Sequence, residues 1–214
     1  MLQAVKLDYD LEPFILADYN VHSGSCISHQ VHELKDIHQK FGGFPDSYDL
    51  GNTLIRQLWW TREQVDYDKL GQQLGIEVVT VSTILQPPGN MIPVHRDTFF
   101  QIKKAYPNDT RLKVRANMYL EDWHVGEYLQ YEVDDEWHNS THWKAGEGWI
   151  WDSNHLHLSA NAGMQDKFTL QVPIVFGVKK IGGPIKHHKY IGTSFYDNKF
   201  DECIMFYNFF RSAG

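Results

Sequence analysis

The stretch Val94-His95-Arg96-Asp97 decides how this chain is read. It follows an apolar run, Val78 to Leu85, and the turn residues Pro87-Pro88-Gly89-Asn90. Alternate residues of a β-strand face the same side, so His95 and Asp97 point at one spot. A neutral imidazole and a carboxylate are two thirds of a two-histidine, one-carboxylate metal-ligand set. The third part would be a later histidine. Roughly sixty residues on, Trp151-Asp152-Ser153-Asn154-His155-Leu156-His157-Leu158 offers two. A barrel needs about that separation to bring a later strand back beside an earlier one. A basic residue, Lys167, follows on what should be the next strand.

Outward from this stretch the chain reads as strands. Glu77 to Gln86 is rich in Val, Thr and Ile, and Met91 to Asp97 returns as a strand. Thr98 to Asp109 is an excursion with a helical turn. Leu112 to Glu121 alternates, with Val114, Ala116, Met118 and Leu120 on one face and Lys113, Arg115, Asn117 and Tyr119 on the other. Tyr128 to Val133 and Ser140 to Lys144 are further strands around the acidic turn Asp134-Asp135-Glu136. Trp149 to Asp152, Leu156 to Asn161 and Lys167 to Val175 complete a count of about eight strands at short spacing, the pattern of a jelly roll or closed barrel. Trp149 and Trp151 alternate on one strand and read as core.

Before residue 76 the pattern differs. Val5 to Asp18 reads as two short extended segments around Pro13. Ser28 to Phe41 is helical by the spacing of Val31, Leu34, Ile37 and Phe41. Residues 42–47 form a loop. Thr61 to Leu74 is a second helix, with Thr61 as N-cap, Gln64 as capping-box partner and Gly75 at its end. After residue 176 comes a tail with His187, His188 and the aromatic run Phe206 to Phe210, which suits a cover for the barrel or a homodimer contact. The expectation is one domain over 1–214: an N-terminal helical and extended support (1–75), a jelly-roll core (76–176) and a C-terminal tail (177–214). The fold class is mainly β, a double-stranded β-helix (jelly roll, cupin-like) with the N-terminal helices packed on it.

Composition narrows the function classes. Of 214 residues, 42% are hydrophobic and 22% charged, so a buried core is affordable and global disorder is excluded. A formal net charge of −7 argues against a broad nucleic-acid surface, so no nucleic acid is expected as partner. No apolar run approaches a membrane span, and Met1 to Lys6 does not read as a signal peptide. Cys26 and Cys203 are far apart and read as free thiols, so a cytoplasmic location is expected.

With these residues in view, the sequence resembles the 2-oxoglutarate and Fe(II)-dependent oxygenase superfamily, and within it the aspartyl/asparaginyl β-hydroxylase-like cupins. The resemblance covers residues 76 to 176. It rests on His95-Arg96-Asp97, on Arg111-Leu112-Lys113-Val114-Arg115-Ala116-Asn117, and on Trp143-Lys144-Ala145-Gly146-Glu147-Gly148 leading into Asp152, His157, Asn161 and Lys167. In that family a stretch of the form W-x-x-G-x … D-D-S-x-x-H-x-x-x-N-x(5)-R carries the distal metal ligand and the basic residue that holds the co-substrate. With His157 as ligand, Asp152, Asn161 and Lys167 fall in register, while Ser153 stands where a second aspartate is expected. The family's basic residue is usually Arg; prolyl-hydroxylase-like members use Lys. The β-hydroxylases tend to lack the carboxylate ligand that Asp97 supplies here.

The resemblance implies Fe(II) held by His95, Asp97 and His157, with 2-oxoglutarate and O2 on the three open positions. Lys167 would meet the far carboxylate of 2-oxoglutarate. Arg115 and Asn117 are further co-substrate or substrate contacts. His155 competes with His157 for the distal position, and otherwise joins Asn161, Tyr119, Thr169 and Gln171 as substrate or supporting residues. Phe99 and Phe100 could cover the pocket. The implied activity is a dioxygenase that hydroxylates an unactivated C–H bond and releases succinate and CO2. Its substrate would be an Asp, Asn or Pro side chain in a protein, or a small molecule. Two other readings share the fold: a cupin metalloenzyme without 2-oxoglutarate, and a non-catalytic jelly-roll binding module.

Overall fold

The computed structural model describes residues 2–20, 25–26, 32–43 and 54–176. Among these the chain forms β1 (Leu2–Lys6), α1 (Glu12–Ile15), β2 (Ser25–Cys26), α2 (His32–Lys40), β3 (Leu54–Trp60) and α3 (Tyr67–Leu74). There follow β4 (Glu77–Val78), β5 (Val81–Gln86), β6 (Asn90–His95), α4 (Phe100–Ala105), β7 (Leu112–Tyr119), β8 (Glu127–Val133), β9 (Glu136–Ser140), β10 (Glu147–Asp152), β11 (His157–Asn161) and β12 (Lys167–Phe176). The chain is mainly β.

The strands make two antiparallel sheets. The larger runs β1-β10-β7-β12-β5-β3-β2, with β4 also on β12; the smaller runs β6-β11-β8-β9. Along the larger sheet the period-2 alternation separates two faces. One face carries Val114, Ala116, Met118, Ile150, Leu170, Val172 and Ile174 into the main apolar core, where Phe14 of α1 and Tyr67 and Leu70 of α3 are also buried. The opposite face looks towards the smaller sheet. There Ile55 and Ile84 meet Ile92, and Tyr119, Trp143 and Trp151 meet Leu129 and Tyr131. The alternation expected for Leu112 to Glu121 is present, and the strand ends at Tyr119.

Several boundaries differ from the sequence expectation. The segment around Pro13 holds a short helix, because Pro sits at its first turn where no amide donor is needed. Leu54–Trp60, unassigned from sequence, is a strand paired with β5 from Arg56↔Leu85 to Trp60↔Val81. Thr61 and Gln64 do bond, Gln64 Oε1 accepting from the Thr61 amide at 2.9 Å, but they close a separate turn. The helix proper starts later, where Asp66 accepts from the Lys69 amide at 2.9 Å and Gly75 ends it at φ 71°. The strand after the acidic turn is Glu136–Ser140 rather than 140–144, since Asp134 and Asp135 both take positive φ and make a tight two-residue hairpin. Residues 28–31 and 44–47, the Phe100 side chain, and the tail with His187, His188, Cys203 and residues 206–210, all covered by sequence expectations, lie outside the described residues.

At Gly148 the β10 backbone passes so close to β7 that a Cβ would overlap the Asn117 carbonyl oxygen and crowd Met118 Cα at 2.7 Å. Both obstacles are backbone and cannot rotate away. Gly148→Ala is expected to lower stability by roughly 3 kcal/mol or more, the upper range for overpacking, read as a fall in the urea midpoint.

Candidate metal centre and cavity

The antiparallel pairing of β11 with β6 sets His157 opposite His95, and their ring centroids lie 4.2 Å apart. A register shift between His157 and Ser159 marks a bulge beside the site, a common device for re-aiming a side chain. His38 of α2 donates from Nε2 to the Val94 carbonyl oxygen at 2.8 Å, tying the helix to β6 next to His95. Asp97 follows the strand end, and one ligand atom from each of His95, Asp97 and His157 falls within 4.8 Å of the others.

Backbone carbonyls orient both imidazoles. His95 Nδ1 lies 2.8 Å from the Pro93 oxygen, and His157 Nδ1 lies 3.1 Å from the His155 oxygen. A carbonyl oxygen only accepts, so each Nδ1 carries the proton and each Nε2 keeps its lone pair for a metal. Burial, then the neighbouring His157 and Arg115 charges, push the His95 imidazolium down to about 3. Burial also lowers His157. Both rings are therefore neutral at physiological pH. Burial would raise the Asp97 carboxyl, but Arg115, the two imidazoles and a Trp151 hydrogen bond together hold it below its ordinary value. Two neutral imidazoles and one carboxylate, all deprotonated at their ligating atoms, fit a divalent cation.

The carboxylate is clamped on both oxygens. Arg115 Nη1 stands 2.6 Å from Oδ1, and Trp151 Nε1 donates to Oδ2 at 2.7 Å. His157 Nε2 is 4.0 Å from the same Oδ2. Trp151, read from sequence as core alone, is fully buried and also fixes a ligand. An aromatic at an inward position carries no sequence signal that tells these roles apart.

A cavity of about 500 Å³ opens between the sheets beside the triad. Cross-strand registers lay out its floor. Asn117 pairs with Gln171 and Tyr119 with Thr169 across β7 and β12. Lys167, Thr169 and Gln171 pair with Gln86, Ile84 and Ser82 across β12 and β5, and Ile84 and Ser82 with Gln57 and Trp59 across β5 and β3. Arg115, Asn117, Tyr119, Thr169 and Gln171, all expected near the site, thus share the cavity with His95, His157 and Lys167. Buried Asn117 Oδ1 and Arg115 Nε have no hydrogen-bond partner among the described residues, while the Tyr119 hydroxyl has the Ser140 side chain beside it. Buried polar atoms are normally satisfied, so an unpaired one on a residue that lines a cavity is a candidate ligand contact.

Lys167 is 2% exposed and its side chain spans from the larger sheet to the smaller. Nζ donates to the Tyr128 carbonyl oxygen and to Ser159 Oγ, both at 2.7 Å. An ammonium has a third donor to offer. Burial outweighs the attraction of Glu127 and pushes the ammonium down to about 7.

Two expected residues are placed elsewhere. His155 lies in the turn before β11, its Nδ1 3.0 Å from Asp152 Oδ1, and it is His157 that joins the triad. Asn161 spends its amide on the turn beyond β11, donating to the Gln86 and Gln165 carbonyl oxygens and accepting from Gly163. The β3 contribution (Ile55, Gln57 and Trp59) was missed because both faces of Leu54–Trp60 carry apolar residues and no alternation shows.

No family model matches the chain, and no curated protein matches it. Among solved structures, it is similar to a prolyl-4-hydroxylase from Pseudomonas putida: 17% identity, 82% of this chain and 92% of that chain covered, TM-score 0.50. The non-heme alpha ketoglutarate dependent epimerase SnoN from nogalamycin biosynthesis matches at 13% identity over 81% of this chain and 78% of that one, TM-score 0.49. A 2OG-Fe(II) oxygenase family oxidoreductase from Burkholderia pseudomallei matches at 12% identity over 68% and 79%, TM-score 0.39. At such identities the prolyl-4-hydroxylase likeness shows a shared fold.

Removal of a ligand should separate the two histidines. Asp97→Ala and His157→Ala are each expected to weaken Mn(II) binding by about 100-fold or more, and Trp151→Phe by about tenfold. His155→Ala should leave it within about threefold of wild type. Isothermal titration measures all four, and loss of binding in His155→Ala alone would reverse the ligand assignment.

Proposed function

We propose that the chain is an Fe(II)- and 2-oxoglutarate-dependent oxygenase that hydroxylates an unactivated C–H bond and releases succinate and CO2. The observation that carries this reading is the conjunction, in one cavity, of a two-histidine, one-carboxylate triad and a buried lysine. The fold shared with a prolyl-4-hydroxylase adds support. A narrower kinship with aspartyl/asparaginyl β-hydroxylases rests on the sequence pattern alone.

Iron, when bound, supplies the activation of O2 and the two-electron oxidation of both 2-oxoglutarate and the target carbon. The protein's own residues do the rest. His95, Asp97 and His157 would hold the iron, and the hydrogen bonds to Pro93, His155 and Trp151 fix their orientation. Lys167 offers its ammonium to the distal carboxylate of 2-oxoglutarate, as a point charge rather than a bidentate fork. Asn117 Oδ1 supplies an unpaired polar atom for the bound molecules. Apolar side chains from both sheets, Ile84, Ile92 and Leu129 among them, exclude water around the reacting groups. A small-molecule substrate fits a cavity of this size, and a single side chain of a protein substrate would enter the same way.

The test is succinate production from 2-oxoglutarate with Fe(II) and ascorbate. Wild type should turn over, while Asp97→Ala and Lys167→Met should fall to background. A wild type that binds Fe(II) but never forms succinate, with or without candidate substrates, sinks the reading. The depressed Lys167 ammonium adds a pH signature. In the empty site it loses its proton as pH rises through about 7. A bound carboxylate favours the charged form, so above pH 7 binding must take up a proton. The affinity for 2-oxoglutarate should then fall by up to about tenfold per pH unit. Titration in buffers of different ionisation enthalpy counts that proton, and Lys167→Met should abolish the dependence.

A further inference from the structure

We infer that Arg115 is a positioning residue for the metal: it holds one oxygen of Asp97, so that the other alone is presented to the ion. The inference rests on the metal site of the reading above and deepens it, without depending on the co-substrate. Asp97 is the ligand that no strand register fixes. β6 stops at His95, and the terminal torsion of a carboxylate is broad, so the backbone leaves the two oxygens free to turn. Their placement must come from what they touch.

Both contacts come from the larger sheet. Arg115 of β7 and Trp151 of β10 are directly opposed in register, which sets their side chains on one face with about 4.5–5.5 Å between Cβ atoms. Their polar ends reach the two oxygens of the same carboxylate: Arg115 Nη1 stands 2.6 Å from Oδ1, and Trp151 Nε1 donates to Oδ2 at 2.7 Å. The histidine contact tells the oxygens apart. His157 Nε2, the atom with a free lone pair, stands 4.0 Å from Oδ2. Oδ2 therefore faces the metal position, and Oδ1 is turned to Arg115. Trp151 gives a neutral hydrogen bond to the oxygen that the metal shares, whereas Arg115 gives a charge-assisted one to the oxygen that the metal leaves. Without Arg115, no contact among the described residues keeps Oδ1 from swinging towards the ion as well. Arg115 is itself held in place. It sits mid-strand, paired on its other side with Pro173, and the Phe99 ring centre lies 5.7 Å from its guanidinium carbon.

Position and charge predict opposite signs. A cation beside a divalent ion repels it, so by charge alone the loss of Arg115 should tighten metal binding. If Arg115 sets the ligand, its loss should weaken binding. Mn(II) affinity is read from the paramagnetic resonance signal of the free ion. Arg115→Met, which removes every donor, should bind about tenfold or more weakly than wild type, the scale for a group that orients a ligand. Arg115→Lys restores a charge and a donor and should bind more tightly than Arg115→Met; charge alone demands the reverse order. In an Asp97→Ala background, which has no carboxylate there to leave unpaired, Arg115→Met should change the residual affinity by less than about twofold, since the effect passes through Asp97. Infrared difference spectra, Mn(II)-loaded minus metal-free, on protein carrying isotopically labelled aspartate read the geometry. One-oxygen binding separates the antisymmetric and symmetric carboxylate stretches widely. Wild type should show that separation, and Arg115→Met should narrow it as both oxygens reach the ion. Binding in Arg115→Met as tight as wild type or tighter, the order Met above Lys, an undiminished effect without Asp97, or an infrared separation that does not change each overturns the inference. A wild type that binds no Mn(II) overturns the metal reading and this inference with it. A wild type that binds Mn(II) but not 2-oxoglutarate overturns the co-substrate reading alone.

Discussion

The pairing of β6 with β11 is the constraint on which the rest of the centre depends. Antiparallel neighbours place directly opposite side chains within about 4.5–5.5 Å at Cβ, and here the opposed pair is His95 and His157. That single register brings together two imidazoles from distant parts of the chain. The same strands supply the carbonyls, from Pro93 and His155, that choose each ring's tautomer. Asp97 need only leave the strand end to complete the set. A slip of one residue by either strand along this ladder would turn its ring away from the cavity.

The larger sheet solves a different problem, which is how to face a polar cavity on one side and an apolar core on the other. Alternation does this along β7 and β12. Val114, Ala116 and Met118 pack into the core while Arg115, Asn117 and Tyr119 face inward. Polar side chains held away from bulk water require partners. Some find them within the protein: Lys167 in Tyr128 and Ser159, Gln86 in Asn90 and Ser159. Others keep unpaired atoms that face the cavity. The division is informative, since the satisfied groups hold the two sheets together and the unsatisfied ones mark where a ligand belongs.

The parts legible in sequence were those governed by short, regular rules. The alternation of Leu112 to Tyr119 and the inward set Lys167, Thr169 and Gln171 follow from a period of two, and the structure has them as read; His95 and Asp97 do come together, but β6 stops at His95 and Asp97 reaches the site from beyond the strand rather than along it. His157 over His155 came from the register of a resembling pattern; the structure sets His157 beside His95 and Asp97 and His155 against Asp152 in the turn. What escaped depends on tertiary context. Trp151 bonds to a carboxylate 54 positions earlier in the chain. Leu54–Trp60 is apolar on both faces, so its strand showed no alternation. Asn161 looked like a site residue, yet its amide closes a turn. In each case the residue type was informative and its partner lay too far along the chain to be seen.

The distance along the chain between the two histidines has a kinetic side. Sixty-two positions separate His95 from His157, and between them lie β7, β8, β9 and β10. The outermost pairing of the larger sheet, β1 with β10, is longer still in sequence terms. Contacts of such range are paid for in loop-closure entropy before they are rewarded, and they form slowly and late. Closing the triad therefore carries the loop-closure cost of a contact between distant parts of the chain. A metal ion has no preformed claw in the unfolded chain around which to organise the barrel, unlike small domains whose ligands lie a few residues apart.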